Sequence, residues 1–208
     1  MDRYELVYLP FRGRGEAVRL LFALAGVPFV DTRIPFAEWP QVKKTMPLGQ
    51  VPVLHDRAEG DLVIPQSAAI LRHLGRAHGL YGRNAAEQAR IDVAGDTVTD
   101  ARDRWVPVAY PPSRPKEPAV YAQYCDETLP LTFTRLAHTL GEGPFIAGDA
   151  PSWADVYAFD LLDAHEHVWA DVLAPYPRLE AHVARVRALP RIAAHLAARQ
   201  PSELPRRA

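Results

Sequence analysis

Apolar residues fall into short strand-like runs at the front of this chain and into helical repeats behind them. Residues 4–9, rich in tyrosine and aliphatics, read as a β-strand. From Arg14 to Ala25 the apolar positions Val18, Leu21, Phe22 and Ala25 share one helical face, and Gly26 supplies a stop. Residues 27–34 read as a second strand, and residues 35–47 as an irregular or short-helical excursion. Val53-Leu54 and Leu62-Val63-Ile64 read as two short strands joined by a hairpin-like turn over 56–60. Gln66 to His78 is a helix with Ile70, Leu74 and Ala77 inward. The order β-α-β then β-β-α describes a sheet covered by helices.

Residues 79–84 break the pattern and read as a linker, and everything after them reads as helix. A long helix over 85–109 carries Ile91, Ala94 and Val98 at helical spacing, tolerates Gly95, and ends at Pro111-Pro112-Ser113-Arg114-Pro115. The helix over 119–140 contains Pro130, which predicts a kink or restart. Ser152 and Asp155 stand at the spacing of a capping box ahead of a helix over 152–169. Pro151 occupies the place of the hydrophobic staple. Two shorter helices follow over 176–189 and 191–199, and then a proline-rich basic tail over 201–208 that hugs the surface or frays.

Composition narrows the possibilities. The chain has 208 residues, of which 48% are hydrophobic and 24% charged, enough for one large domain or two small ones with real cores. A net charge of −1 gives no field favouring nucleic acid or an anionic membrane. No apolar run approaches the ~20 residues of a membrane span, and Met1-Asp2-Arg3-Tyr4-Glu5 is too polar to begin a signal peptide. The single cysteine, Cys125, excludes an internal disulfide and a Cys-x-x-Cys site, and reads as a buried thiol in a reducing compartment. A cytoplasmic location is the expectation. His165-Glu166-His167 suggests a metal site, but residues two apart on a helix point apart, so no metal is expected.

The chemistry concentrates at Gly49-Gln50-Val51-Pro52-Val53-Leu54 and Gln66-Ser67-Ala68-Ala69-Ile70. Val51 precedes a proline, where a cis bond costs only ~0.5–1 kcal/mol. A helix opening at Gln66-Ser67 offers unpaired N–H groups to a carboxylate. Together these features look like a site that reads a peptide through its backbone and its acidic end.

This pattern resembles the thioredoxin-like domain of the cytosolic glutathione transferases, and the resemblance runs over nearly the whole chain. It is closest to the pi class, through Tyr8-Leu9-Pro10-Phe11-Arg12-Gly13-Arg14, Ile70-Leu71-Arg72-His73-Leu74-Gly75-Arg76, Gly79-Leu80-Tyr81-Gly82, Ile91-Asp92-Val93 to Asp100-Ala101-Arg102, and Gly148-Asp149-Ala150-Pro151-Ser152-Trp153-Ala154-Asp155. The resemblance implies an α/β thioredoxin-like domain over 1–78 and an all-α helical domain over 84–208. It implies transfer of the glutathione thiolate to hydrophobic electrophiles, with glutathione as cosubstrate and no metal. Tyr8 takes the family's catalytic position. Arg14, Trp39, Lys43, Gln50, Val51, Pro52, Gln66 and Ser67 would hold the peptide, with Lys44 a decoy beside Lys43. Tyr4 is the competing tyrosine and reads as packing. Asp100 would reach the γ-glutamyl ammonium bound by the neighbouring subunit of a homodimer. Leu9, Phe11, Phe36 and Tyr110 would wall the electrophile's pocket.

The chain departs from the pi class at Leu48, where an aromatic residue commonly locks the partner subunit, so a weaker lock is expected. Two rivals share the resemblance: a glutathione-dependent isomerase, and a non-enzymatic ligand-binding protein on the same fold.

Overall fold

The computed structural model describes residues 2–109 and 118–199. Tyr110, the proline-rich segment after it and the C-terminal tail lie outside these described residues. By contact, the described residues of 1–80 and 189–199 form one compact unit, and those of 81–188 form another.

The first unit is built on a four-stranded mixed sheet in the order β2-β1-β3-β4. Its strands are β1 (Tyr4–Tyr8), β2 (Val30–Arg33), β3 (Val53–Asp56) and β4 (Leu62–Pro65). β1 and β2 run parallel, as the helical crossover α1 (Glu16–Ala25) between them requires. β3 is antiparallel to both β1 and β4. β2 is shorter than its apolar run because Pro28 has no N–H to give a ladder, and pairing begins at Val30 opposite Glu5. The helix α1 stops at Gly26, whose φ of 69° is left-handed and favours glycine.

Leu20, Leu21 and Phe22 of α1 and Ile70, Leu71 and Leu74 of α3 (Ser67–Ala77) are buried with Tyr4, Leu6 and Leu54 of the sheet. Ala77 was expected inward but is exposed in the last turn of α3, and Leu71 is buried instead.

One polar cluster anchors the edge of this core. Asp56, fully buried, accepts both Nε and Nη2 of Arg3 at 2.9 Å, the N–H of Ala58 at 3.1 Å, and a bond from His73 Nε2 at 2.9 Å. The Arg3 fork, outweighing burial, holds its carboxyl down at about 2.

Residues 190–198 form α9 (Pro190–Ala198), which packs on α1 (Glu16–Ala25) although the two lie far apart in sequence. Arg191 donates to the carbonyl of Leu24 at 3.1 Å, closing the C-terminal end of α1.

The described residues of the second unit carry the helices α4 (Ala85–Ala109), α5 (Pro118–Gln123), α6 (Leu129–Thr139), α7 (Trp153–Val168) and α8 (Pro177–Arg187). A wide five-residue π turn, Tyr124–Thr128, joins α5 to α6. Its cause is Pro130, which lacks an N–H and crowds the carbonyl four residues back, at Asp126. Cys125 lies half-buried in this turn.

α7 is the central helix, buried along most of its length. Asp155 takes the N–H of Ser152 at 2.8 Å, the Ser152 hydroxyl at 2.6 Å and the N–H of Ile146 at 2.9 Å. The capping box thus fastens the preceding loop as well as the helix.

His165 is fully buried among Trp105, Phe133 and Tyr124. Its Nδ1 faces the carbonyl of Leu161 at 2.7 Å and must carry the proton, so Nε2 accepts from the Tyr124 hydroxyl at 2.8 Å. Burial pushes its pKa down to about 4, which keeps the ring neutral. Both ring nitrogens are thereby committed, and neither is offered to a metal.

Gly95 has a packing reason. A Cβ there would collide with the Trp153 ring, 2.5 Å from Cζ3 and closer still to the ring's edge. Propensity alone predicts that Gly95→Ala stabilises α4 by ~1 kcal/mol. The packing predicts the opposite sign, a loss of about 1–3 kcal/mol in urea unfolding.

Asp56→Asn tests the polar cluster. Asp56's folded pKa lies below its unfolded value of ~3.9, so its stabilisation is complete above that value and vanishes as pH falls through about 2. The variant is expected to be less stable by on the order of 1–2 kcal/mol at neutral pH, with the half-exposed Arg3 tempering the figure. The gap to the native chain should close as acid unfolding curves approach pH 2.

Candidate functional site

The strand register puts the sequence-predicted residues in one row. Val7 pairs with Val53, and Val53 pairs with Pro65. Tyr8 therefore ends β1 beside the start of β3, where Pro52 enters, and β3 in turn lies beside the end of β4, where Gln66 leaves. The Val51-Pro52 peptide bond is cis. Sheet pairing, not sequence proximity, brings Tyr8, Val51-Pro52 and Gln66-Ser67 to a common edge.

Tyr8 is held tightly there, with 4% of its surface exposed. Its hydroxyl oxygen accepts the backbone N–H of Arg14 at 2.8 Å. A hydroxyl that accepts a hydrogen bond becomes a stronger donor through polarisation. The bond is possible because Gly13 and Gly15 let the backbone pass close to the ring. A Cβ on Gly15 would lie 2.6 Å from Tyr8 Cδ1, and one on Gly13 would overlap both the Tyr8 hydroxyl and the Phe11 ring. Gly13 also has a φ of 39°. Tyr4 is buried against Phe22, ring centroids 5.3 Å apart, and its hydroxyl is 3.1 Å from His78 Nε2, which makes it a packing residue.

Gln66 sits at φ 74° and ψ 116°, a conformation rare for a residue with a Cβ. Such strain persists only where surrounding structure enforces it, and it concentrates at functional sites. Gln66 leaves β4 exposed, and Ser67 opens α3 with its side chain buried. The first intrahelical bond runs from Ile70 N–H to the carbonyl of Gln66 at 3.0 Å. The amides of Ser67, Ala68 and Ala69 precede it and have no intrahelical acceptor.

Trp39 starts a one-turn helix, α2 (Trp39–Val42), and Lys43 begins the tight turn after it. Trp39 is half-buried and packs with Leu9 and Val51 over Val7, Ile34 and Val53. Leu9 therefore belongs to the same small cluster as Trp39 and Val51. The stem of Lys43 runs beside Gly49, where an added Cβ would sit 3.7 Å from its Cε. Gln50, the residue after Gly49, is exposed. Lys44 instead donates to Gln41 Oε1 at 3.0 Å on the surface.

Phe11 lies between Tyr8 and Phe36, with centroids 5.3 and 5.8 Å away, and is nearly parallel to Phe36. Phe36 is 61% exposed, so this three-ring ladder ends at solvent.

Asp100 lies in the second unit, exposed on α4, and lines a cavity of about 380 Å³ with Arg104, Arg135 and His138. Tyr110 lies outside the described residues. Arg19 was missed in the sequence. It is buried at the Tyr8 ring, 5.7 Å from guanidinium carbon to ring centroid. The available signal was a charged residue between Val18 and Leu20 on an otherwise apolar helix.

The fold and the setting of Tyr8 define a class: a thioredoxin-like domain with a clamped tyrosine ending its first strand, followed by an all-helical domain. Residues 4–76 match the family described as "Glutathione S-transferase, N-terminal domain", and residues 99–199 match "Glutathione S-transferase, C-terminal domain". The chain is 37% identical to "Glutathione S-transferase P" of Bos taurus over 199 residues, 95% of this chain and 93% of that protein. It is 38% identical to "Hematopoietic prostaglandin D synthase" of Gallus gallus over 194 residues, 93% of this chain and 95% of that one. The solved structure of an Onchocerca volvulus Pi-class glutathione S-transferase superposes with a TM-score of 0.83 at 29% identity, covering 94% of this chain and 92% of that chain. The chain belongs to the glutathione S-transferase family.

The close approach at Gly15 is directly testable. Gly15→Ala must displace the Tyr8 ring or the backbone. A stability loss of about 1–3 kcal/mol is expected, with NMR shift changes concentrated at Tyr8 and Arg14.

Proposed function

We propose that this protein is a glutathione transferase that conjugates the glutathione thiolate to hydrophobic electrophiles. The observation that carries the reading is the Tyr8 hydroxyl, fixed by the Arg14 N–H at 2.8 Å at the end of β1. A free thiol with a pKa near ~8.5 is only about 3% thiolate at pH 7, and the thiolate is the nucleophile. A phenol donating to the sulfur favours the charged form, and each pKa unit is worth ~1.4 kcal/mol.

The remaining roles are those that the resemblance to the family implies. The backbone of Val51, beside Gln50 and Pro52, pairs with the cysteinyl part of glutathione. The amides opening α3, with Gln66 and the Ser67 hydroxyl, receive the γ-glutamyl carboxylate. Trp39 and Lys43 hold the glycine carboxylate, and Arg14 keeps the surroundings of Tyr8 positive. Leu9, Phe11 and Phe36 form an apolar wall for the electrophile. Glutathione is the cosubstrate and no metal takes part.

A homodimer, in which Asp100 reaches the γ-glutamyl ammonium in the neighbouring site, completes the proposal. Leu48, 56% exposed, would fill a partner's pocket with less buried area than an aromatic residue. The setting is the cytoplasm and the role detoxification. The likeness to a prostaglandin D synthase supports one second reading, an isomerase that regenerates glutathione.

Initial rates of conjugation to a general aromatic electrophile test the proposal. Tyr8→Phe is expected to lower the rate at least ~10-fold, equivalent to ~1.4 kcal/mol of transition-state stabilisation. An unchanged rate removes Tyr8 from its role. Product formed without consumption of glutathione favours the isomerase.

A further inference from the structure

Arg19 is a charged side chain with 2% exposure inside the first unit, and none of the roles assigned above uses it. Its Nε donates to both carboxylate oxygens of Asp31, at 3.1 and 3.0 Å. Its Nη1 donates to the backbone carbonyl of Phe11 at 3.1 Å and reaches Glu16 Oε2 at 3.4 Å. Its Nη2 is buried with no hydrogen-bond partner among the described residues. The face of the Tyr8 ring lies 5.7 Å from the guanidinium carbon, within the ~6 Å range of a cation–π contact. An aromatic face is an acceptor for such an N–H.

We propose that Arg19 is a positioning residue for Tyr8: its guanidinium fixes the ring and the Phe11 turn together and strengthens the phenol as a hydrogen-bond donor to the glutathione sulfur.

Two effects act at once. The Phe11 carbonyl bond holds the start of the turn that delivers the Arg14 N–H to the Tyr8 oxygen, so the guanidinium braces the turn at one end and the ring at the other. A cation at the ring face also draws electron density from the phenol and makes its O–H more acidic, hence a better donor.

The surrounding charges keep the cation in place without a large net field. Asp31 is shared with Arg33, whose Nε is 2.8 Å from Asp31 Oδ2. Glu16 is shared with His195 at 2.9 Å and Arg199 at 3.8 Å, both contributed by the C-terminal segment. Burial pushes the Glu16 carboxyl up, but His195, Arg19 and Arg199 together hold it below the usual range. Arginine suits this place because one planar fork can meet a carboxylate, a carbonyl and a ring together, which an ammonium cannot.

The inference rests on the thiolate-stabilising reading of Tyr8, and the test separates the two. The ultraviolet absorbance of the thiolate is titrated in the glutathione complex of the native chain and of Arg19→Met, Arg19→Lys, Tyr8→Phe and the Tyr8→Phe/Arg19→Met double variant. Arg19→Met is expected to raise the apparent pKa of the bound thiol by about one unit, leaving roughly tenfold less thiolate at a pH below both values. Arg19→Lys keeps the cation and loses the fork, so its rise is smaller but at least about threefold in thiolate. Adding Arg19→Met to Tyr8→Phe is expected to change nothing further, because Arg19 acts through the phenol.

An unchanged titration in Arg19→Met, with only a lower melting temperature, overturns the proposal. So does an equal shift with and without the Tyr8 hydroxyl. If Arg19→Met does not fold, an unchanged Arg19→Lys titration overturns it. A native complex whose thiol titrates at its ordinary value overturns the transferase reading itself, and the role of Arg19 falls with it.

Discussion

The first unit depends on the approach of a bare backbone to an aromatic ring. Gly13 and Gly15 leave room for the turn after β1 to lie against Tyr8, and this alone lets the Arg14 N–H reach the hydroxyl. A side chain at either glycine would push the ring and the amide apart. The same approach starts α1 directly under the ring, so that Arg19, four residues beyond Gly15, returns to the face of the tyrosine. The ring is thus held by backbone, by a neighbouring aromatic and by a cation, while β1 anchors its other end.

The sheet turns this local clamp into a site. Glycine-rich turns are unremarkable by themselves, and so are helix openings. What distinguishes this edge is register: β1 ends where β3 begins and where β4 gives way to α3. Three segments far apart in sequence then present a phenol, a backbone edge and a helix opening side by side. The strained Gln66 conformation marks the place where β4 must turn abruptly for α3 to begin at that edge.

Much of this was legible in the sequence because local rules agreed with the tertiary outcome. β1, α1, α3 and α4 follow from apolar periodicity. The Gly26 stop, the break caused by Pro130 and the Ser152–Asp155 cap follow from residue chemistry. What escaped were features defined only by a distant neighbour. Gly95 looks like a flaw in a helix until Trp153 is known to fill the space above it. Arg19 looks like a surface charge until Asp31 and the Phe11 carbonyl enclose it. Ala77 fits the helical repeat, yet α3 has left the core by its last turn. Periodicity names a face but does not say where its cover ends.

The bond from Arg191 to the carbonyl of Leu24 bears on the order of assembly. The first unit takes its final helix from the far end of the chain, so the intervening residues form an insertion between two parts of one body. During synthesis, residues 81–188 emerge and can fold as a unit while the earlier sheet still lacks α9. Until α9 arrives, the end of α1 and the carboxylate of Glu16 lack their partners Arg191 and His195. Translation itself therefore withholds the last brace on α1, the helix that carries Arg19 to the tyrosine, until residues 81–188 have been made.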